Sequence, residues 1–396
     1  MSRYLDEVAK RLVAFDTTSS RSNVAATDYL AGEFENHGFR VRIQRIEVAG
    51  VPKANLVAWA GPPVPDGLII CGHIDTVPFE GQPGWQRDPL QLEIGTSRVY
   101  GRGTSDMKVF IAQCVNAAAE LDLASLNKPL VFAFTADEEV GSFGAAQLAP
   151  MLAGILGDTP MPRLAWIGEP TSLQIFHAHK GVVRFRITVH GIGGHSSLPE
   201  QGVNAIAVAG KVIDTIGRYQ SELRRLRSPE YSAMFADCPY TTLNFGTVAG
   251  GTASNVIAEQ CSIDISYRPL PGSDPLDVYR ETIKRAQDLD PHDYCSPDRI
   301  ATITFGEPVV VEALLATRGT PIERALCDVL RTATVSGALF ATDGPNLAAV
   351  GIESIICGPG ELEQAHQPNE SLARDAYENG TSLILSVIST YGRMAA

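Results

Sequence analysis

The sequence predicts an α/β protein with a largely parallel central sheet and a second, smaller α+β unit inserted into it. Three observations carry that expectation. Near-continuous apolar runs such as "GLIICGH", "LVFAFTADEE" and "RLAWIGEP" alternate with segments of helical periodicity, as strands buried on both faces by helices do. From residue 181 the pattern changes to the apolar/polar alternation of half-exposed strands, as in "GVVRFRITVHG". Near residue 308 the first style returns, so residues 181–307 read as an insertion between 1–180 and 308–396.

The elements follow in order. Helical periodicity covers residues 3–15 and 24–37, then come the strand-like "VRIQRIEV" and "NLVAWAG". "GLIICGH" is a buried strand, "VFIAQCVNAAAELD" a helix, "LVFAFTADEE" a strand, "FGAAQLAPMLAG" a helix and "RLAWIGEP" a strand. In the insertion, "GVVRFRITVHG" precedes the helix "GVNAIAVAGKVIDTIGRYQSEL". Strands near "TLNFGTVAGG" and "CSIDISYRPL", the helix "DPLDVYRETIKRAQDL" and the strand "ATITFGE" complete it. A helix at 320–334, the strand "SIICGPG" and a helix at 371–391 close the chain.

Composition excludes several classes. With 396 residues, 44% hydrophobic and 19% charged, the chain is long enough for two domains and a sizeable core. A formal charge of −13 argues against nucleic-acid or anionic-membrane surfaces, which would repel it. The cysteines at 71, 114, 238, 261, 295, 327 and 357 form no Cys-x-x-Cys pair and read as reduced thiols, with Cys71 and Cys357 in core strands. The N-terminus lacks the apolar core and cleavage site of a secretion signal, and no run approaches the roughly 20 apolar residues of a membrane span. A cytoplasmic protein is expected.

The strand ends carry the chemistry. "LIICGH" leads into His73 and Asp75, "LVFAFTADEE" into Glu138 and Glu139, "RLAWIGE" into Glu169, and "SIICGPGELEQAH" into His366. Open α/β sheets bind ligands outside the carboxyl ends of their strands, so these groups are expected to converge in one crevice. Asp106 joins from the glycine-rich "YGRGTSDMK". Two imidazoles and several carboxylates, with no cysteine, suit zinc or a similar divalent ion, and the excess of carboxylates suggests two. In extended chain, His73 and Asp75 share a face, so the carboxylate would orient the ring. Glu138 and Glu139 would point opposite ways, one to metal and one to a reacting water.

Taken singly, each residue has an ordinary explanation. A histidine near a strand end is usually hydrogen-bonded structure, acidic residues opening a helix complement its dipole, and buried cysteines fill cores. Their recurrence at nearly every buried strand end is what favours a site. A nucleotide-binding oxidoreductase is disfavoured because neither "GRGTSD" nor "GIGGHSS" is Gly-x-Gly-x-x-Gly opening a helix after a strand. A non-catalytic metal-binding protein would have no use for Glu138 beside Glu139.

"GHIDTVP", "YGRGTSDMK", "TADEEVGS", "GEPT", "GGHSSLP", "GGTASNVI" and "GPGELEQAHQPNE", in this order, resemble the di-zinc deacylase and carboxypeptidase family. That family includes acetylornithine deacetylases, succinyl-diaminopimelate desuccinylases and aminoacylases, and the likeness spans about residues 4–390. "HKGVVRFRITVHGIGGHSSLP", "RPLPG" and "EQAHQPNE" most resemble the acetylornithine deacetylase branch. The resemblance implies a zinc-peptidase-like catalytic domain with an inserted ferredoxin-like lid that mediates dimerisation. It implies two divalent ions, zinc first with cobalt or manganese as alternatives. Asp106 would bridge them, with His73 and Glu169 completing one site and Glu139 and His366 the other. Glu138 would be the general base for hydroxide attack on an N-acyl amino acid, and Asp75 the partner of His73.

From the lid, the resemblance implies that His195 reaches the substrate across the dimer, where by itself it reads as a polar residue in a glycine turn; the Asn255 amide suits the acyl oxygen or substrate backbone, or else a turn cap, and the Arg268 fork suits the α-carboxylate, or else a surface position. Lys180 matches the "HKG" stretch without an assigned role. The expected reaction is deacetylation of N-acetylornithine, with desuccinylation or broader aminoacylase and carboxypeptidase activity as alternatives. Three departures from the family pattern stand out: Val109 in place of a glycine, "IDISYRPLPG", and "ATDGPNL" in place of a Thr-Glu-Ala-Pro form.

Overall fold

The structure, a computed structural model, describes residues 3–289 and 299–394. Two compact units divide the chain. Met1–His177, Ala316–Ser336 and Thr342–Ala396 form the first, and Ala178–Leu315 with Gly337–Ala341 the second.

In the first unit, the apolar runs become strands in which every residue of Leu68–His73 and Leu130–Thr135 is buried. Four strands lie parallel, in the spatial order Leu130–Thr135, Leu68–His73, Leu164–Ile167 and Glu353–Ile356. The flanks are antiparallel: Val51–Ala60 pairs with Leu130–Thr135, Arg40–Val48 pairs with Val51–Ala60, and Phe176 of Ile175–His179 pairs with Ile356. The sheet is therefore mixed, parallel at its centre only. The reason at one flank is local. Ala49 and Gly50, both at positive φ, join two strands through a two-residue turn, and such a link makes a hairpin.

Helix Lys108–Glu120 is buried continuously from Lys108 to Ala118, with Arg3–Ala14 and Arg374–Arg393 packed on it. The run "FGAAQLAPMLAG" does not make one helix. Pro150 lacks an amide donor, and the segment divides into Phe143–Leu148, a 3-10 turn at Ala149–Met151, and Leu152–Leu156. Large side chains such as Phe34, Phe132 and Trp166 are fully buried here, each contributing roughly 1.5–3 kcal/mol of apolar burial.

In the second unit, strands Thr242–Gly250, Gln260–Arg268, Val182–His190 and Thr302–Phe305 form an antiparallel sheet in that order. Strand Val182–His190 alternates as its sequence predicts: Val183, Phe185, Ile187 and Val189 are buried, and Arg184 and Arg186 are exposed. Helix Ala205–Arg225 places Val208, Ala209, Val212 and Ile216 in the core of this unit. Asn204 starts that helix by accepting the amides of Ile206 and Ala207 at 2.9 and 3.3 Å. Helix Asp277–Gln287 is the second in this unit.

Cys71, Cys114, Cys238, Cys261, Cys327 and Cys357 are free thiols, with Cys71 and Cys357 buried; Cys295 lies outside the described residues. Among the described residues, no helix is long and apolar enough to cross a membrane.

Candidate metal centre

Parallel strands end on the same edge of a sheet, and here three neighbours do so with ionisable groups just beyond. His73 is the last residue of its strand and lies opposite Thr135 in register. Glu138 and Glu139 follow Thr135 by a short turn, and Glu169 follows Ile167 by two residues. At a strand spacing of about 4.8 Å, such side chains can meet. His366 arrives from the loop after Glu353–Ile356, with φ at 62°, and Gln82 Nε2 donates to its main-chain oxygen at 2.8 Å.

Asp106 lies between the two imidazoles. Its Oδ1 is 2.9 Å from His73 Nε2 and its Oδ2 is 3.3 Å from His366 Nε2. His366 Nε2 is also 3.0 Å from Glu139 Oε1. Two overlapping donor groups result, each with ligand atoms within 4.8 Å of one another: His73, Asp106 and Glu139; and His73, Glu138 and Glu169.

Two local expectations change. Glu138 and Glu139 lie in a turn rather than in extended chain, because the strand ends at Thr135. Asp75 also acts differently from the ring-orienting carboxylate that the sequence suggests. His73 Nδ1 is 3.0 Å from the main-chain oxygen of Asp75 and 3.6 Å from its carboxylate. That carboxylate accepts instead from the amides of Glu138 (3.1 Å) and Glu139 (3.3 Å) and from the Ser19 hydroxyl (2.7 Å). The main-chain oxygen of Asp75 thus serves the ring while its side chain serves the neighbouring turn.

The electrostatics are those of an acidic cluster short of positive charge. Burial raises the Glu138 pKa well above the usual carboxylate range, and Glu169 adds to it. Glu169 is raised in the same way by burial, despite His73, and Glu139 is raised by burial and by Asp106. Asp106 alone is held well below its usual value, since its hydrogen bonds to His366 and His73 outweigh its burial. Burial disfavours the His73 imidazolium, but Asp106, Glu169 and Asp75 outweigh it and raise that pKa well above normal. Asp106 and Glu139 push His366 up to about 10. Buried carboxylates that repel one another beside imidazole donors fit divalent cations, which supply the missing charge. The donor set forms a site for two such ions, with zinc the natural choice for imidazole and carboxylate together.

Sequence reasoning missed two buried acids here. Glu370 accepts the amides of Gly103, Ser105 and Asp106 at 3.0, 2.8 and 3.0 Å and pairs with Arg102 at 2.8 Å, so the loop presenting Asp106 is wrapped around it. Asp343, from "ATDGPNL", accepts from Thr135 Oγ1, while its Oδ1 is buried without a hydrogen-bond partner. No periodicity or strand end marks either one; the signal was motif membership, since Glu370 closes "GPGELEQAHQPNE" and Asp343 lies in "ATDGPNL".

The second unit holds the remaining candidates. His195 and Asn255 are brought together by a two-stranded ribbon: His195 is opposite Val256, and the Ser196 amide donates to the Asn255 carbonyl at 3.2 Å. Both are exposed. Arg268 ends strand Gln260–Arg268, opposite Thr242. Lys180 is 1% exposed, and its ammonium donates to the main-chain oxygens of Cys238 (2.5 Å) and Tyr240 (2.8 Å), tying down the loop that precedes strand Thr242–Gly250.

Comparison with known proteins agrees with this geometry. Residues 69–390 match the profile of Peptidase family M20/M25/M40. The chain is 35% identical over 389 residues to an acetylornithine deacetylase of Proteus mirabilis, covering 96% of this chain and 92% of that one. It is 34% identical over 404 residues to an acetylornithine deacetylase of Klebsiella pneumoniae, covering 96% of each. In fold, it resembles the metallo-carboxypeptidase Sso-CP2 of Sulfolobus solfataricus, with a TM-score of 0.80, 18% identity and complete coverage of both chains. Human carnosine dipeptidase 1 is similar at a TM-score of 0.76 and 16% identity, over 98% of this chain and 97% of that one.

Proposed function

The chain belongs to the M20/M25/M40 peptidase family, a metal-dependent amide hydrolase, and on that premise we propose that it removes the acetyl group from N-acetylornithine. It would act as a cytoplasmic enzyme of arginine biosynthesis. The observation that carries the hydrolytic reading is the meeting of two imidazoles and four carboxylates at one sheet edge, with Glu138 held there through its own amide. The acetyl preference is supported by relatives of that name at 34–35% identity along nearly the whole chain.

In this reading, Asp106 would be shared by the two ions, His73 and Glu169 would complete one site, and Glu139 and His366 would complete the other. Divalent cations bound there acidify water and polarise an amide carbonyl. Glu138 takes the proton of the attacking water on its carboxylate as the oxygen bonds to the acyl carbon. It then hands that proton to the amide nitrogen as the C–N bond breaks, releasing acetate and the free amino acid. Asp75 keeps the Glu138 and Glu139 amides in place during both transfers. The four sheet strands named above and the two helices of the second unit follow one another as strand, helix, strand, strand, helix, strand, an order that supports reading it as a ferredoxin-like lid and dimerisation domain. His195, Asn255 and Arg268 would contribute substrate contacts from it, Arg268 through its planar fork to the α-carboxylate.

The test is turnover of metal-loaded protein on N-acetylornithine, N-succinyl-diaminopimelate and a panel of N-acetyl amino acids, before and after chelation. The highest kcat/KM is expected on N-acetylornithine, lost on chelation and restored by zinc. Preference for the succinyl substrate would overturn the acetyl assignment, and hydrolysis of none would overturn the whole reading. Glu138→Gln should keep its metal and lose about 10²–10⁴-fold in kcat.

A further inference from the structure

Between the strand end Thr135 and Glu138 the chain passes through Asp137 at a φ of 55°, a left-handed conformation unusual for a residue with a side chain. A buried ion pair holds it there. Lys53 Nζ lies 2.6 Å from Asp137 Oδ1, and both side chains are 1% exposed. The same ammonium donates to the main-chain oxygens of Ser19 at 2.7 Å and Arg21 at 2.6 Å. An ammonium has three N–H donors, and these three bonds use them all.

The bonds join three separate segments: strand Val51–Ala60, the loop containing Ser19 and Arg21, and the turn that carries Glu138. Two of them are the segments that hold the Asp75 carboxylate. Ser19 supplies its hydroxyl to Asp75 Oδ2, and the turn supplies the amides of Glu138 and Glu139. Lys53 therefore closes a ring of contacts around Asp75. Burying an ammonium and a carboxylate is costly, and an apolar side chain would fill this volume with less desolvation. What the charged pair adds is a fixed separation between the loop and the turn, set by three short bonds.

We propose that Lys53, acting through Asp137, is a positioning residue for hydrolysis: it fixes the turn so that the Glu138 carboxylate stands at one defined place in the pocket. The inference rests on the reading of Glu138 as the base. General bases act only within hydrogen-bond reach of the proton they take, and a displacement of about 1 Å can cost about 10²-fold in rate.

The test compares Lys53→Met, Asp137→Ala and Asp137→Asn as metal-loaded full-length protein. Asparagine tolerates the left-handed conformation and still offers Lys53 an oxygen, so Asp137→Asn serves as the conservative rescue. Lys53→Met and Asp137→Ala are expected to lose about 10–100-fold in kcat with KM within about twofold and metal content unchanged, and Asp137→Asn to stay within about threefold of wild type. Hydrogen–deuterium exchange over residues 137–142 should rise at least about tenfold in the first two variants. Unchanged kcat, a loss confined to KM or to metal content, or unchanged exchange would overturn the proposal. If Lys53→Met does not fold, equal kcat in Asp137→Ala and Asp137→Asn overturns it. A wild type that hydrolyses no N-acyl amino acid would defeat the functional reading, while exchange in the variants still decides whether Lys53 fixes this turn.

Discussion

Replacing Asp75 with asparagine separates two accounts of this residue. Its Oδ1 accepts the Glu138 amide at 3.1 Å, and its Oδ2 accepts the Ser19 hydroxyl at 2.7 Å and the Glu139 amide at 3.3 Å. Asparagine has one oxygen for these three donors. Its best orientation keeps that oxygen on the Ser19 and Glu139 side and turns an NH2 group against the Glu138 N–H. One charge-assisted bond is lost and a buried donor is left unpaired, a cost of about 2–3 kcal/mol in stability. The displaced donor belongs to the proposed base itself, so kcat should fall about 10²-fold, equivalent to about 2.7 kcal/mol in the barrier. Metal should be retained, because His73 Nδ1 is served by the Asp75 main-chain oxygen, which the substitution leaves in place. Ser19→Ala, which leaves both amide bonds intact, should cost only about 1 kcal/mol and less than tenfold in kcat. Steady-state kinetics, elemental analysis and urea unfolding measure all three quantities. Full metal content with kcat within about threefold of wild type would refute the amide-holding role. Loss of metal with the turn undisturbed would restore the ring-orienting one.

Two further expectations concern stability. Burial and Arg268 lower the His179 pKa from 6.5 to about 4, against the favourable bond to the Lys180 carbonyl. On acidification the unfolded chain therefore takes up this proton first: stability is fully present above about pH 6.5, falls as the pH drops toward 4, and at pH 4.5 has lost about 2–3 kcal/mol from this group. His179→Gln lacks that loss, so the stability gap between wild type and variant should shift by this amount between pH 7.5 and 4.5; a constant gap in urea unfolding would contradict it. At Gly144 a Cβ would lie 2.3 Å from the Ala136 oxygen and 2.6 Å from its nitrogen, so Gly144→Ala should cost about 3 kcal/mol or more and disturb the turn before Glu138. Gly154→Ala meets nothing within 4 Å in helix Leu152–Leu156 and should stabilise by about 0.5–1 kcal/mol, as thermal unfolding would show.

Much of the site was legible because its logic is carried by strand ends. His73, Glu138 and Glu169 each stand just beyond an apolar run, and a parallel arrangement of those runs leaves them one edge on which to meet. The inserted unit was legible for a similar reason, since the change from continuous to alternating hydrophobicity at Val182–His190 marks a strand covered on one face only. Strand direction was less accessible. An apolar run looks the same in either orientation, and at Arg40–Val48 and Val51–Ala60 only the positive φ values of Ala49 and Gly50 reveal a hairpin.

From sequence alone came the ligand-type residues and the kind of sheet that presents them, because side-chain periodicity and strand termination are short-range properties of the chain. Tertiary structure alone decided how those residues are held. Glu370 grips the Asp106 amide across 264 residues, Lys53 reaches the Asp137 turn across 84, and Asp75 spends its carboxylate on main-chain donors instead of on the neighbouring imidazole. Each of these depends on packing that brings distant segments to hydrogen-bond distances of 2.6–3.3 Å, and a carboxylate or ammonium buried for that purpose leaves no repeat or spacing by which to find it.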